Sequence, residues 1–136
     1  MIKFSLTLGL AMAVLAAPAF AGDAEKGKKE FNKCKACHSI TDAAGTDVVK
    51  GGKTGPNLFG VIGRAVASYP EFNYSDSILA VNAKGVIWDE ALLAAYVVDP
   101  TEWLEEQTDD DAAKSAMTFK MAKGSEDVAA YLATFK

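Results

Sequence analysis

Cys34 and Cys37 stand two residues apart with Lys35 and Ala36 between them, and His38 follows at once. They are the only cysteines and the only histidine in the chain. Thiols and an imidazole at this spacing support three chemistries. A zinc site needs about four ligands, and no further cysteine or histidine exists to complete one. A dithiol redox pair belongs in an α/β sheet, and no strand-rich pattern surrounds this motif. The third chemistry is covalent haem attachment, the usual meaning of C-x-x-C-H. On the first turns of a helix, Cys34 and Cys37 project from one side and can each form a thioether to a haem vinyl. His38 is then carried beneath the iron. The motif implies one covalently attached haem c per chain, with His38 as one axial ligand.

Because His38 is the sole histidine, the second axial ligand must come from another residue type, and methionine sulfur is the natural choice. The chain holds four methionines, two of which, Met1 and Met12, fall in the N-terminal leader described below. Met117 and Met121 remain. Met121 directly precedes the last apolar helix and suits the usual job of methionine as core filler. Met117 lies in a polar, non-periodic stretch between Lys114 and Lys120, where a core role has little support. The residue pattern thus favours Met117. Met121, a lysine or an open position remain as alternatives.

The elements that must position these groups are mostly helical. Residues 1–21 read as a secretory signal peptide: Lys3 gives a positive start, 4–17 is almost wholly apolar, and Ala19-Phe20-Ala21 is an A-x-A cleavage signal after Pro18. The alternative is a retained anchor, since the apolar run approaches the roughly 20 residues that span a bilayer. Cleavage after Ala21 leaves 22–136 as one domain, delivered to an oxidising compartment, the periplasm. Asp23 can cap a helix carrying Ala24, Gly27 and Phe31 on one face. Gly27 is a poor helix former, so close approach of another helix is its expected purpose. Asp76 can cap a short helix through Ala83. Asp89 opens another that stops before Pro100, and a short turn follows from Thr101 through Glu106. Ser125 caps the last helix, whose Val128, Tyr131, Leu132 and Phe135 form one apolar stripe. Residues 39–74 are rich in Gly, Pro and Asn and read as loops. So long a stretch is unusual in a compact domain, but is expected where loops wrap a haem. The fold class is all-α, with about five helices.

The charge is uneven. Residues 22–136 carry 13 basic and 18 acidic side chains, net −5. Residues 22–64 hold eight basic and five acidic groups, 65–113 one and eleven, and 114–136 four and two. The segments that supply candidate iron ligands are positive and the middle is strongly negative. Net acidity together with export excludes a nucleic-acid role.

Taken together, the mature chain resembles a class I c-type cytochrome, closest to the bacterial cytochrome c2 type and similar to mitochondrial cytochrome c. The resemblance rests on Gly22-Asp23-Ala24-Glu25-Lys26-Gly27-Lys28-Lys29 with Phe31, on Cys34 to His38, and on Thr54-Gly55-Pro56-Asn57-Leu58. It continues through Gly63-Arg64, Tyr74-Ser75-Asp76, Trp88, Tyr96, Asp99-Pro100, Met117-Thr118-Phe119-Lys120 and Ala130-Tyr131-Leu132. It implies the cytochrome c fold, with long loops wrapping one covalently bound haem, and Met117 as the axial methionine. It also implies that the Pro56 carbonyl accepts the proton-bearing nitrogen of His38. Tyr74 and Trp88 match residues that hydrogen-bond a haem propionate, Arg64 a compensating charge, and Tyr96 a tyrosine near the methionine sulfur. Without the resemblance, Tyr74 and Trp88 would read as core aromatics. Gly27 and Phe31 match positions that pack against Tyr131. Two departures stand out: Ile78 replaces an asparagine found in mitochondrial members, and 105–115 is longer than its mitochondrial counterpart.

A His–Met iron offers no open position, which leaves outer-sphere transfer of one electron and argues for a carrier, not an enzyme. Lys33, Lys35, Lys53 and Lys120, with Lys114 or Lys123, are expected to ring the exposed haem edge and steer the protein to acidic partners. By resemblance, electrons come from the cytochrome bc1 complex and pass to a photosynthetic reaction centre or a terminal oxidase. The protein is expected to be a monomer and not an integral membrane protein.

Overall fold

Close approach of the first and last helices organises the computed structural model, which describes residues 22–136. The leader expected at 1–21 lies outside the described residues. Helix α1 (Ala24–Glu30) starts at Asp23, whose carboxylate accepts the Glu25 and Lys26 amides. Helix α5 (Ser125–Leu132) lies across it. A Cβ on Gly27 would sit 1.9 Å from the Asp127 carbonyl oxygen, so only glycine permits this crossing. Phe31 packs on Tyr131 with ring centroids 5.7 Å apart. The Asp127 carboxylate also accepts the Asp23 amide at 2.8 Å.

After α1 the chain tightens into a 3-10 turn, Phe31–Lys33. The Cys34–His38 motif continues as turns, with the Cys37 and His38 amides both donating to the Cys34 carbonyl. It therefore ends a helical run and does not open one.

Residues 39–74 are mostly loop, with one exception. Strands β1 (Ile40–Thr41) and β2 (Asp47–Val49) form an antiparallel hairpin. Its turn is made by Asp42, whose carboxylate accepts the Ala44 and Thr46 amides at 2.9 Å. Helix α2 (Asp76–Ala83) is entered from Ser75, one residue before the expected cap, and α5 similarly from Gly124, which is left-handed at φ 83°. Helix α3 (Glu90–Val98) is capped by Asp89, as the sequence predicts.

The short turn expected at 101–106 is instead a full helix, α4 (Pro100–Thr108). Proline that ends α3 also opens α4, because its missing N–H and fixed φ suit the first helical position. Asp99 caps it through the Glu102 amide at 3.2 Å. Trp103 and Leu104 then face the core, with Trp103 stacked on Trp88 at 5.2 Å. No helix among the described residues is long and apolar enough to cross a membrane.

Overpacking a tight core costs about 1–3 kcal/mol, and a carbonyl in the way leaves little room to relax. Gly27→Ala is expected to lose about 3 kcal/mol of unfolding free energy, read from guanidinium denaturation. A midpoint equal to the parent's would show that α1 and α5 do not meet at Gly27.

Candidate functional site

Between the motif, the loops and α3 lies a cavity of about 520 Å³. Cys34, Cys37 and His38 line one side, and Ser115, Ala116, Met117 and Phe119 contribute another. The remaining wall is largely apolar, including Leu58, Val61, Ile78, Leu93, Val97 and Leu132.

The His38 side is built from backbone bonds. Gly52 N–H donates to the Lys35 carbonyl and Gly55 N–H to the Cys37 carbonyl, each at 2.8 Å, which sews the following loop onto the motif. Pro56 is thereby delivered to the imidazole, and His38 Nδ1 lies 2.8 Å from its carbonyl oxygen. A carbonyl can only accept, so Nδ1 carries the proton and Nε2 keeps a free lone pair. Burial lowers the His38 pKa, with the Pro56 bond acting in the opposite sense. The ring is held neutral, as a metal ligand must be. Gly55 lies against the ring: a Cβ there would be 2.3 Å from His38 Cε1. Burial pushes the Cys34 thiol up to about 11, with Lys33 opposing. A thioether has no charge to bury, so this apolar niche suits it.

The other sequence-predicted residues fall as follows. Arg64, Tyr74, Trp88 and Tyr96 all line the cavity. Arg64 donates to the Asn57 carbonyl at 3.0 Å and the Phe59 carbonyl at 3.3 Å, and its guanidinium lies 5.1 Å from the Tyr69 ring centroid. Burial lowers its pKa, and among the described residues it makes no ion pair with a carboxylate. The Tyr74 hydroxyl accepts the Tyr69 amide at 3.1 Å, which leaves its own proton for a further acceptor. Trp88 packs between Tyr96 and Trp103, with centroids 5.2 Å from each. The Tyr96 hydroxyl is 3.4 Å from Ser115 Oγ, which in turn accepts the Met117 amide at 3.1 Å. Met121 is 2 % exposed in the core, with its amide bonded to the Val97 carbonyl, and does not line the cavity.

The four lysines are exposed, but differ in company. Lys33 lines the cavity mouth and pairs with Glu30. Lys120 pairs with Asp99 at 2.5 Å, an interaction that raises the lysine pKa and lowers that of the carboxylate. Lys35 and Lys53 make no ion pair among the described residues.

Three contributors were not singled out from the sequence. Asn57, seen there only as part of a family motif, joins its loop to β1: its side chain exchanges bonds with the Thr41 amide and carbonyl and also accepts the Phe59 amide. Asn next to Pro56 was the available signal. Ser115 bridges Tyr96 and Met117, and Trp103 completes the aromatic cluster. Neither carries a local pattern that announces such a role.

Two thiols, a neutral imidazole and a thioether around an apolar cavity, with a half-buried cation lacking a carboxylate, fit a flat apolar iron porphyrin bearing acidic side chains. The fold and site are those of a covalent haem protein. No family model matches the chain. It is 62% identical over 133 residues to cytochrome c2 of Rhodobacter capsulatus, covering 97% of each chain. It is 56% identical over 135 residues to cytochrome c-550 of Paracoccus versutus, covering 96% of this chain and 88% of that one. The solved structure of the Rhodobacter capsulatus cytochrome c2 superposes with a TM-score of 0.82 at 61% identity, covering 83% of this chain and 97% of the other. The chain therefore belongs to the cytochrome c2 family of class I c-type cytochromes, electron carriers with one covalently attached haem c.

Proposed function

We propose that this protein is a soluble periplasmic carrier of single electrons, with Cys34 and Cys37 as the thioether anchors and His38 and Met117 as the two axial iron ligands. The observation that supports this reading is the division between the two methionines: Met117 lines the same cavity as His38, and Met121 is buried in the core. With both axial positions taken by the chain, a substrate has no place at the metal, which favours a carrier over an enzyme.

When bound, the haem supplies one-electron exchange between Fe(III) and Fe(II). The chain's own work is to hold, shield and bias it. Pro56 fixes the His38 ring and its tautomer. Trp88 and Tyr96, backed by Trp103, exclude water from one wall, and an apolar pocket with a soft sulfur ligand favours the less charged ferrous form. Arg64 offers its half-buried charge, Tyr74 its O–H and Trp88 its N–H to the acidic substituents.

Export rests on the leader, with removal after Ala21, so the mature protein should begin at Gly22; its intact mass checks this. The donor we assign is the cytochrome bc1 complex, with a photosynthetic reaction centre or a terminal oxidase as acceptor, and the carrier acts as a monomer. Docking is assigned to the lysine face of Lys33, Lys35, Lys53 and Lys120. Since Lys33 and Lys120 already have internal acidic partners, Lys35 and Lys53 contribute most to the attraction of an acidic surface.

The ferric absorption spectrum tests the ligation. The weak near-red band of an iron–methionine bond is expected in the parent and in Met121→Leu, and absent in Met117→Ala; a band surviving in Met117→Ala would refute the assignment. Lys35→Glu and Lys53→Glu are each expected to slow association with purified bc1 complex several-fold at low salt, an effect that fades as salt screens the charges. Unchanged rates in both variants would remove the lysine face from docking.

A further inference from the structure

The long segment 105–115 reaches the cavity only at its last residue, Ser115. It leaves α4 through Asp109, left-handed at φ 55°, and passes through Ala113, which is buried. It then meets two side-chain hydroxyls in succession. Lys114 N–H donates to Ser77 Oγ on α2 at 3.0 Å, and Ser115 N–H donates to Thr101 Oγ1 on α4 at 3.2 Å. Ser115 Oγ next accepts the Met117 amide. Beyond Met117 the chain is fastened differently, by the Lys120–Asp99 ion pair and by the Met121 amide on the Val97 carbonyl. Met117 thus hangs between an end anchored to backbone and charge and an end held by hydroxyls. Neither Ser77 nor Thr101 lines the cavity.

We propose that Ser77 and Thr101 are positioning residues for Met117: their hydroxyls tie the long segment to α2 and α4 and set how readily the methionine withdraws from the cavity. The proposal rests on the reading of Met117 as an iron ligand. Lys114 and Ser115 lie outside helix and sheet, so their amides depend on these hydroxyls or on water. Removing one such acceptor is expected to raise the withdrawn population about fivefold, the effect of one net hydrogen bond. A ligand that binds only the withdrawn form tightens by the same factor.

The test titrates the ferric holoprotein with imidazole, which can take the metal position only where Met117 has left it, and follows loss of the near-red band. Thr101→Val and Ser77→Ala are each expected to bind imidazole roughly fivefold tighter than the parent. Thr101→Ser, which keeps the hydroxyl, should retain the parent's affinity. Gly27→Ala, destabilised at the far α1–α5 contact, should also retain it. Parental affinity in both Thr101→Val and Ser77→Ala would overturn the proposal. So would a Thr101→Ser variant as weakly held as Thr101→Val, since packing and not the hydroxyl would then matter. An equal gain in Gly27→Ala would overturn it too, by tracing the effect to global stability. A near-red band persisting in Met117→Ala would instead refute the ligand reading, and this inference with it.

Discussion

The hydrogen bond between His38 Nδ1 and the Pro56 carbonyl ties the Cys34–His38 motif and the loop that follows it to one geometry. It commits the proton to Nδ1 and leaves Nε2 as the only imidazole atom able to bind a metal. To make it, a loop eighteen residues further along must lie flat against the ring. That demand explains Gly55, where any side chain would collide with the imidazole. It also explains Asn57, which clamps the same loop to β1 through bonds to Thr41. The hairpin, otherwise a peripheral feature, acquires a purpose as the far support of this loop. Burial lowers the His38 pKa and the Pro56 bond raises it, and burial is the larger of the two, so the ring stays neutral.

The two sides of the cavity are built by different means. Around His38 the contacts are backbone to backbone, from Gly52 to Lys35 and from Gly55 to Cys37, made possible by glycines that let the loop lie against the motif. Around Met117 they run through Ser77, Thr101, Ser115 and Tyr96, all single hydroxyls. A hydroxyl acceptor contributes little net free energy and exchanges easily with water. One wall is therefore stiff and the other adjustable, although a single cavity joins them.

Much of this was legible in the sequence because it rests on local rules. Asp23 and Asp89 cap the helices they precede, and the apolar stripe Val128, Tyr131 and Leu132 faces the core. Gly27, a poor helix residue, marks the helix crossing. The count of one histidine and of two methionines outside the expected leader excludes a second histidine ligand and leaves Met117 and Met121 as the sulfur candidates, beside a lysine or an open position. Helix α4 was shortened in the sequence reading because Pro100 was treated only as a stop, whereas a proline in the first turn is also a start. Trp103 and Ser115 were missed for a deeper reason: their partners, Trp88 and Tyr96, lie on other elements, and no spacing along the chain encodes a contact made across the fold.

The charge pattern shows how sequence and structure divide the work. The sign segregation along the chain, basic near the motif and acidic between 65 and 113, enters a long-range field that sums over every charge. Local availability does not follow from it. Glu30 lies within reach of Lys33, and Asp99 of Lys120, so two of the basic groups already face carboxylates. Exposed pairs of this kind are weak, and a partner's carboxylate can replace the internal one. The replacement gains less than meeting an unpaired lysine, because one attraction is exchanged for another. At Lys120 it would also loosen the segment fastened behind Met117, since Asp99 holds that lysine while capping α4. Docking through Lys120, as proposed, and the hold on Met117 would therefore draw on the same carboxylate.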